Sequence, residues 1–108
     1  MKKTRLFAPA LALFIFSTPG MAADADAAKA LLKKNDCFKC HALSKKKDGP
    51  SYKSIAKKYQ GEADAVQKLH THVTTGPMVE VDGVEEEHKV IKGSEAEISN
   101  MIDWVLSL

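Results

Sequence analysis

The sequence predicts an all-α fold, about four helices with a short hairpin or loop ahead of the last one. Three observations predict it. Apolar residues recur at helical spacing in four stretches. Glycine, proline or a capping serine punctuates those stretches. A single segment, around Asp82-Gly83, alternates apolar and acidic residues in the manner of a ribbon. With 108 residues, 44% hydrophobic and 28% charged, the chain reads as globular and as one small domain.

The first helix is expected from about Asp26 to Cys40, with Ala27, Ala28, Leu31 and Leu32 on its apolar side. The second runs from Ser51 to about Tyr59 and carries Tyr52, Ile55, Ala56 and Tyr59 at helical spacing before Gly61 stops it. The third spans about Glu62 to Thr75. It places Val66, Leu69, His70 and Val73 on one face and ends at Gly76-Pro77. His70 and His72 within it read as a packing or surface pair. The last begins at Ser94-Glu95-Ala96-Glu97, a capping box in which serine oxygen and glutamate carboxylate each satisfy a free amide of the first turn. Ile98, Met101, Ile102 and Val105 then face inward, with Met101 in the core and Trp104 at the flank. Between the last two helices, Met78 to Glu85 reads as a small hairpin or tight loop turning at Asp82-Gly83. So short a ribbon is marginal alone, so something should pack beneath it.

Ahead of these elements stands an export signal. Met1-Lys2-Lys3-Thr4-Arg5 gives a positive start, Leu6 to Phe16 is an uncharged run of 11 residues, and Gly20-Met21-Ala22 supplies small residues for a signal peptidase. A run of 11 falls well short of the roughly 20 residues a bilayer core needs, which disfavours a membrane anchor. The expected division is a cleaved signal over 1–22 and a domain over 23–108, cleavage falling after Ala22 or Ala23. The mature chain is then expected to be periplasmic, in an oxidising compartment and with no stable membrane insertion.

Trimming the signal alters the charge. The full chain has 16 Lys and Arg against 14 Asp and Glu; removing Lys2, Lys3 and Arg5 leaves 13 against 14, a net of −1. Residues 23–108 contain no arginine, so bidentate reading of bases or phosphates has no basis and no nucleic-acid partner is expected. The charge is also asymmetric: residues 23–68 hold 11 Lys against 6 acids, and 69–108 hold 2 Lys against 8 acids.

A thin helical core of this size commonly needs a staple, and Cys37-Phe38-Lys39-Cys40-His41 supplies one. C-x-x-C-H is the arrangement of covalent haem attachment. Cysteines three apart on one helical turn reach both vinyl groups of one porphyrin, and the next residue sets its imidazole against the iron. The competing readings are weaker. A redox dithiol expects a βαβ context. A structural zinc site expects a second C-x-x-C. A disulfide closing so short a loop would add little stability.

With these residues in place, the chain resembles the small bacterial class I cytochromes c. The resemblance covers nearly all of 23–108: Leu31-Leu32 before the motif, Gly49-Pro50-Ser51-Tyr52 after it, Ile55 to Tyr59, and Asp103-Trp104-Val105-Leu106-Ser107 at the end. It implies about four helices around one covalently bound haem c. It also implies that Cys37 and Cys40 carry the thioethers and that His41 is the proximal iron ligand. The Pro50 carbonyl would accept the His41 ring N–H, and Tyr52 would line the pocket. Asp36 departs from the glycine many relatives have before the first cysteine.

Two residues compete for the sixth position on iron. Gly76-Pro77-Met78 offers the family's usual thioether, but Met78 stands 16 residues before Ser94 and 37 after His41. His88 stands 6 before Ser94, 16 before Trp104 and 47 after His41, which resembles the family's ligand position. The spacing favours His88, and Met78 stays open as the alternative. A second imidazole favours ferric iron and a lower potential; a thioether does the opposite. With both axial positions filled and no acid–base pair around a substrate pocket, the expected function is one-electron transfer between redox partner proteins rather than enzymatic turnover. Lys39, Lys45, Lys46, Lys47, Lys53, Lys57 and Lys58 near the motif would form a docking face for acidic partners. The alternative is a haem-based gas-binding or sensing protein with a labile sixth ligand. A weak peroxidase ranks last, having no distinct distal base.

Overall fold

A computed structural model describes residues 2–6, 8–12 and 22–108. Much of the expected export signal, including 13–21, lies outside the described residues. Four helices form: α1 (Ala25–Lys34), α2 (Tyr52–Tyr59), α3 (Ala65–Thr75) and α4 (Glu95–Leu106). A hairpin of β1 (Met78–Val81) and β2 (Val84–Glu87) stands between α3 and α4.

Helix α4 is the spine. Its capping box forms as the sequence requires, with Ser94 Oγ accepting from Glu97 N–H at 3.1 Å and Glu97 Oε1 accepting from Ser94 N–H at 3.0 Å. From that start it buries Ile98, Met101, Ile102, Trp104 and Val105. Ile102 is the most enclosed large side chain at 1% exposure, a burial that contributes about 1.5–3 kcal/mol. Trp104 does not sit at the flank: it is buried, because α1 and α2 pack against α4 from two directions and enclose more than one stripe.

Helix α1 packs on α4 through Ala28, Leu31 and Leu32, the fully enclosed Ala28 permitting close approach. Ala27 turns to solvent instead. The two helices are also tied at their starts. Asn100 Oδ1 accepts from Asp24 N–H at 2.8 Å, and its Nδ2 donates to Asp24 O at 2.9 Å, while Asp24 Oδ1 caps α1 through Ala27 N–H.

Helix α1 ends at Lys34, six residues short of the expected Cys40. Asn35 caps it, donating through Nδ2 to Leu31 O at 3.0 Å. Asp36 then adopts the left-handed conformation (φ 59°), which turns the chain out of the helix axis. A glycine suits that conformation, so aspartate here is the costlier choice. Cys37–Lys39 continue as one 3₁₀ turn.

Helix α3 starts at Ala65, after a turn at Glu62–Asp64, and its buried stripe is phased differently from expectation. Val66 is exposed, whereas Ala65, Leu69, His72 and Val73 turn inward. The hairpin turns at Asp82-Gly83, both at positive φ (50° and 80°), with Val81 opposite Val84 and Met78 opposite Glu87. Little packs beneath it: Val79 and Val81 are half-buried and β2 is exposed throughout. The ribbon is held at its base, where His88 N–H donates to Pro77 O at 2.8 Å.

Candidate functional site

The 3₁₀ turn gathers Cys37, Cys40 and His41. Cys37 O accepts from both Cys40 N–H (3.3 Å) and His41 N–H (3.0 Å), so one tight turn presents two thiols and an imidazole. Lys47 Nζ donates to Phe38 O at 2.9 Å and closes the turn. Cys37 is half-buried and Cys40 exposed. Burial pushes the Cys37 thiol up from its ordinary value.

His41 Nδ1 lies 2.6 Å from Pro50 O. A carbonyl only accepts, so Nδ1 carries a proton and donates it to Pro50. Gly49 makes room for this ring: a Cβ there would lie 2.6 Å from His41 Cε1 and 2.9 Å from Nδ1. Tyr52, buried at the start of α2, stacks at 5.4 Å from the His41 ring and at 6.1 Å from Trp104, with Phe38 edge-on at 5.8 Å. Burial pushes its phenol up, and its hydroxyl is buried without a hydrogen-bond partner.

On the opposite side stands His88, just past β2. Its Nδ1 donates to Lys89 O at 2.9 Å. Burial holds this imidazole below its ordinary pKa. The His41 and His88 rings lie 6.2 Å apart with planes at 46°. A metal between two imidazoles, with bonds of about 2.0–2.1 Å and about 1.1 Å from nitrogen to ring centre, sets the centroids about 6.3 Å apart. The two ring centres stand about that far apart. Met78 is elsewhere, 61% exposed on β1.

Solved and curated proteins of known family have the same plan. The family model described as Cytochrome c matches residues 25–108. The chain belongs to the class I cytochromes c. The class 1 cytochrome MtoD from Sideroxydans lithotrophicus ES-1 shares 56% identity and superimposes with a TM-score of 0.78, over 80% of this chain and 97% of that one. Nitrosomonas europaea cytochrome c552 superimposes at 0.62 with 31% identity, over 74% and 98%. Cytochrome c-552 of Hydrogenobacter thermophilus is 34% identical over 82% of this chain and 89% of its own length. Members of this family are electron carriers that hold one covalently attached haem c, and the Cys37–His41 segment has the spacing for that attachment.

Sequence reasoning missed several residues around this cytochrome site. Asn35 fastens the segment after His88 through two bonds to the backbone of Lys92. His72 packs its ring 4.5 Å from that of His88 at 65°, so it is no mere companion of His70. Burial, then His88 and His41 nearby, hold its pKa down. His70 points the other way and pairs with Glu95 at 2.9 Å. The signal for His72 was available: it stands three residues after Leu69, on the same helical face.

Proposed function

We propose that this cytochrome is an exported, low-potential one-electron carrier. In this reading Cys37 and Cys40 hold the haem and His41 and His88 bind its iron. Haem c, when bound, supplies a one-electron iron couple. The chain's task is then to hold both imidazoles neutral, with Nε2 free, and to exclude water. The observation that carries the reading is the 6.2 Å separation of the His41 and His88 rings, each with its Nδ1 proton engaged by a backbone carbonyl. Pro50 orients the proximal ring and Tyr52 lines the pocket. Bis-imidazole ligation favours ferric iron and sets the potential below that of a thioether-ligated relative.

The gas-binding alternative needs a loosely held distal loop. That loop is instead bonded at Pro77, Val73 and Asn35, which supports the carrier. Export rests on the signal-like segment 1–22, cleaved to leave 23–108 in the periplasm; no helix among the described residues is long and apolar enough to cross a membrane. Lys39, Lys45, Lys46, Lys47, Lys53, Lys57 and Lys58 are all exposed, which supports a docking face for acidic redox partners.

The test is the absorption spectrum of the ferric protein. A low-spin spectrum lacking the weak far-red iron–thioether band, turning high-spin in H88A, is expected. The presence of that band assigns the position to Met78 and a higher potential.

A further inference from the structure

The two facing imidazoles are fixed by different means. His41 Nδ1 donates to the carbonyl of Pro50, nine residues away on the segment entering α2, so the fold itself sets the plane of that ring. His88 Nδ1 donates to Lys89, its immediate neighbour. That bond orients the ring against its own loop, which reaches the rest of the fold through the bonds at Pro77, Val73 and Asn35. Outside its own loop the His88 ring packs edge-on against that of His72, at 4.5 Å between centroids and 65° between planes.

His72 stands on the last turns of α3, and that stretch of helix is held twice. Val73 O accepts from Ile91 N–H at 2.8 Å, and His70 pairs with Glu95 at the start of α4. The Ile91 bond also brings the chain just beyond His88 against the same helical turn. A ring carried on an anchored helix therefore stands against one whose own hydrogen bond reaches only its neighbour in the chain.

We propose that His72 is the positioning residue for the distal imidazole: its ring, held by α3, fixes the rotation of His88 and with it the 46° angle between the His41 and His88 planes. The inference rests on the bis-histidine reading above. It concerns the geometry of the ligand pair, since the angle between two axial imidazoles governs the splitting of the ferric iron orbitals and hence the g anisotropy of the low-spin centre. Outer partners of a ligating histidine tune a metal in this way.

The experiment is electron paramagnetic resonance of the ferric holoprotein in frozen solution, for wild type, H72A, H72F and H88A. In H72A the low-field g feature moves and broadens beyond the wild-type linewidth, because the freed ring samples a range of angles. In H72F, which restores a planar edge on the same helix, the feature stays within the wild-type linewidth. An H72A spectrum that superimposes on wild type overturns the inference, and so does an H72F spectrum that matches H72A. Should H72A fail to fold, H72L, which fills the volume without a planar edge, carries the same expectation. H88A separates the two claims. An unchanged low-spin H88A overturns bis-histidine ligation and this inference with it; a high-spin H88A beside an unmoved H72A overturns this inference alone.

Discussion

Asn35 and Lys92, 57 residues apart, are joined through one side-chain amide that acts as a piece of backbone. Asn35 Nδ2 donates to Lys92 O at 3.0 Å and Asn35 Oδ1 accepts from Lys92 N–H at 2.8 Å, while the same Nδ2 also donates to Leu31 O. The amide is 3% exposed, so water does not replace these bonds when they break. It thereby ties the end of α1, just before Cys37, to the segment just after His88. The N35L variant leaves the Lys92 N–H and carbonyl and the Leu31 carbonyl short of partners, and a destabilisation of about 2–4 kcal/mol is expected in urea unfolding. Because the distal loop loses its tie, carbon monoxide should also bind reduced N35L faster than wild type. A variant as stable and as resistant to carbon monoxide as wild type would remove Asn35 from this role.

That clamp also marks what was legible in the sequence. The four helices, the Asp-Gly turn and the Ser94–Glu97 box were readable because each depends on a local pattern of spacing or capping. Cys37, Cys40 and His41 were readable for the same reason, and Pro50 and Tyr52 entered through a family resemblance. The end of α1 was not, since it is decided by Asn35 bonding to a loop segment that is distant in sequence. Trp104 was misplaced because its burial depends on α1 and α2 covering two sides of α4, which no single-helix stripe reveals. Helical spacing alone points the α3 stripe at Val66, the larger apolar side chain beside Ala65. The structure buries Ala65 and half-buries His72 there, α3 packing on α4 and the His72 ring against that of His88.

Gly76 and Gly83 separate backbone conformation from close approach. Both have positive φ, 63° and 80°. Around Gly83 a Cβ would meet nothing within 4 Å, whereas at Gly76 it would lie 2.8 Å from the backbone carbonyl of His88. G83A should therefore lose only the left-handed penalty, about 1 kcal/mol. G76A should lose roughly twice that or more, since the backbone at His88 must also move. Urea midpoints measure the first difference. The second shows in the ferric spectrum, where G76A gains a high-spin fraction and G83A does not. Equal effects in the two variants would count against a tight fit between α3 and the distal loop.

Gly49 makes an equivalent prediction on the proximal side. A methyl there would meet three atoms of the His41 ring, at 2.6, 2.9 and 3.2 Å. The ring must turn or retreat, and its bond to Pro50 O lengthens or breaks. G49A should weaken proximal ligation, raise the high-spin fraction and lower the yield of holoprotein. Because hydrogen bonding at Nδ1 makes imidazole the stronger donor to iron, the surviving low-spin fraction should titrate at a higher potential than wild type. A G49A protein with the wild-type yield, spectrum and potential would mean that the ring has room the structure does not give it.

Glu97 supplies the pH prediction. The backbone N–H of Ser94, and then its side chain, hold this carboxyl below the usual carboxylate range. A folded-state pKa that is depressed gives a stabilisation fully present above the unfolded value, about 4.3, and lost as pH falls through the lower folded value. Glutamine in its place keeps an oxygen that accepts from the Ser94 amide but neither titrates nor bears charge at the N-terminus of α4. Thermal unfolding of wild type and E97Q, followed from pH 7 to pH 3, should give a constant gap in favour of wild type above about pH 5.5. The gap should close in more acid solution as Glu97 takes up its proton. Comparing the two proteins at each pH cancels the acid sensitivity both share through their histidines. A gap that stays constant to pH 3, or widens, would show that the capping carboxylate is not what ties the start of α4 to pH.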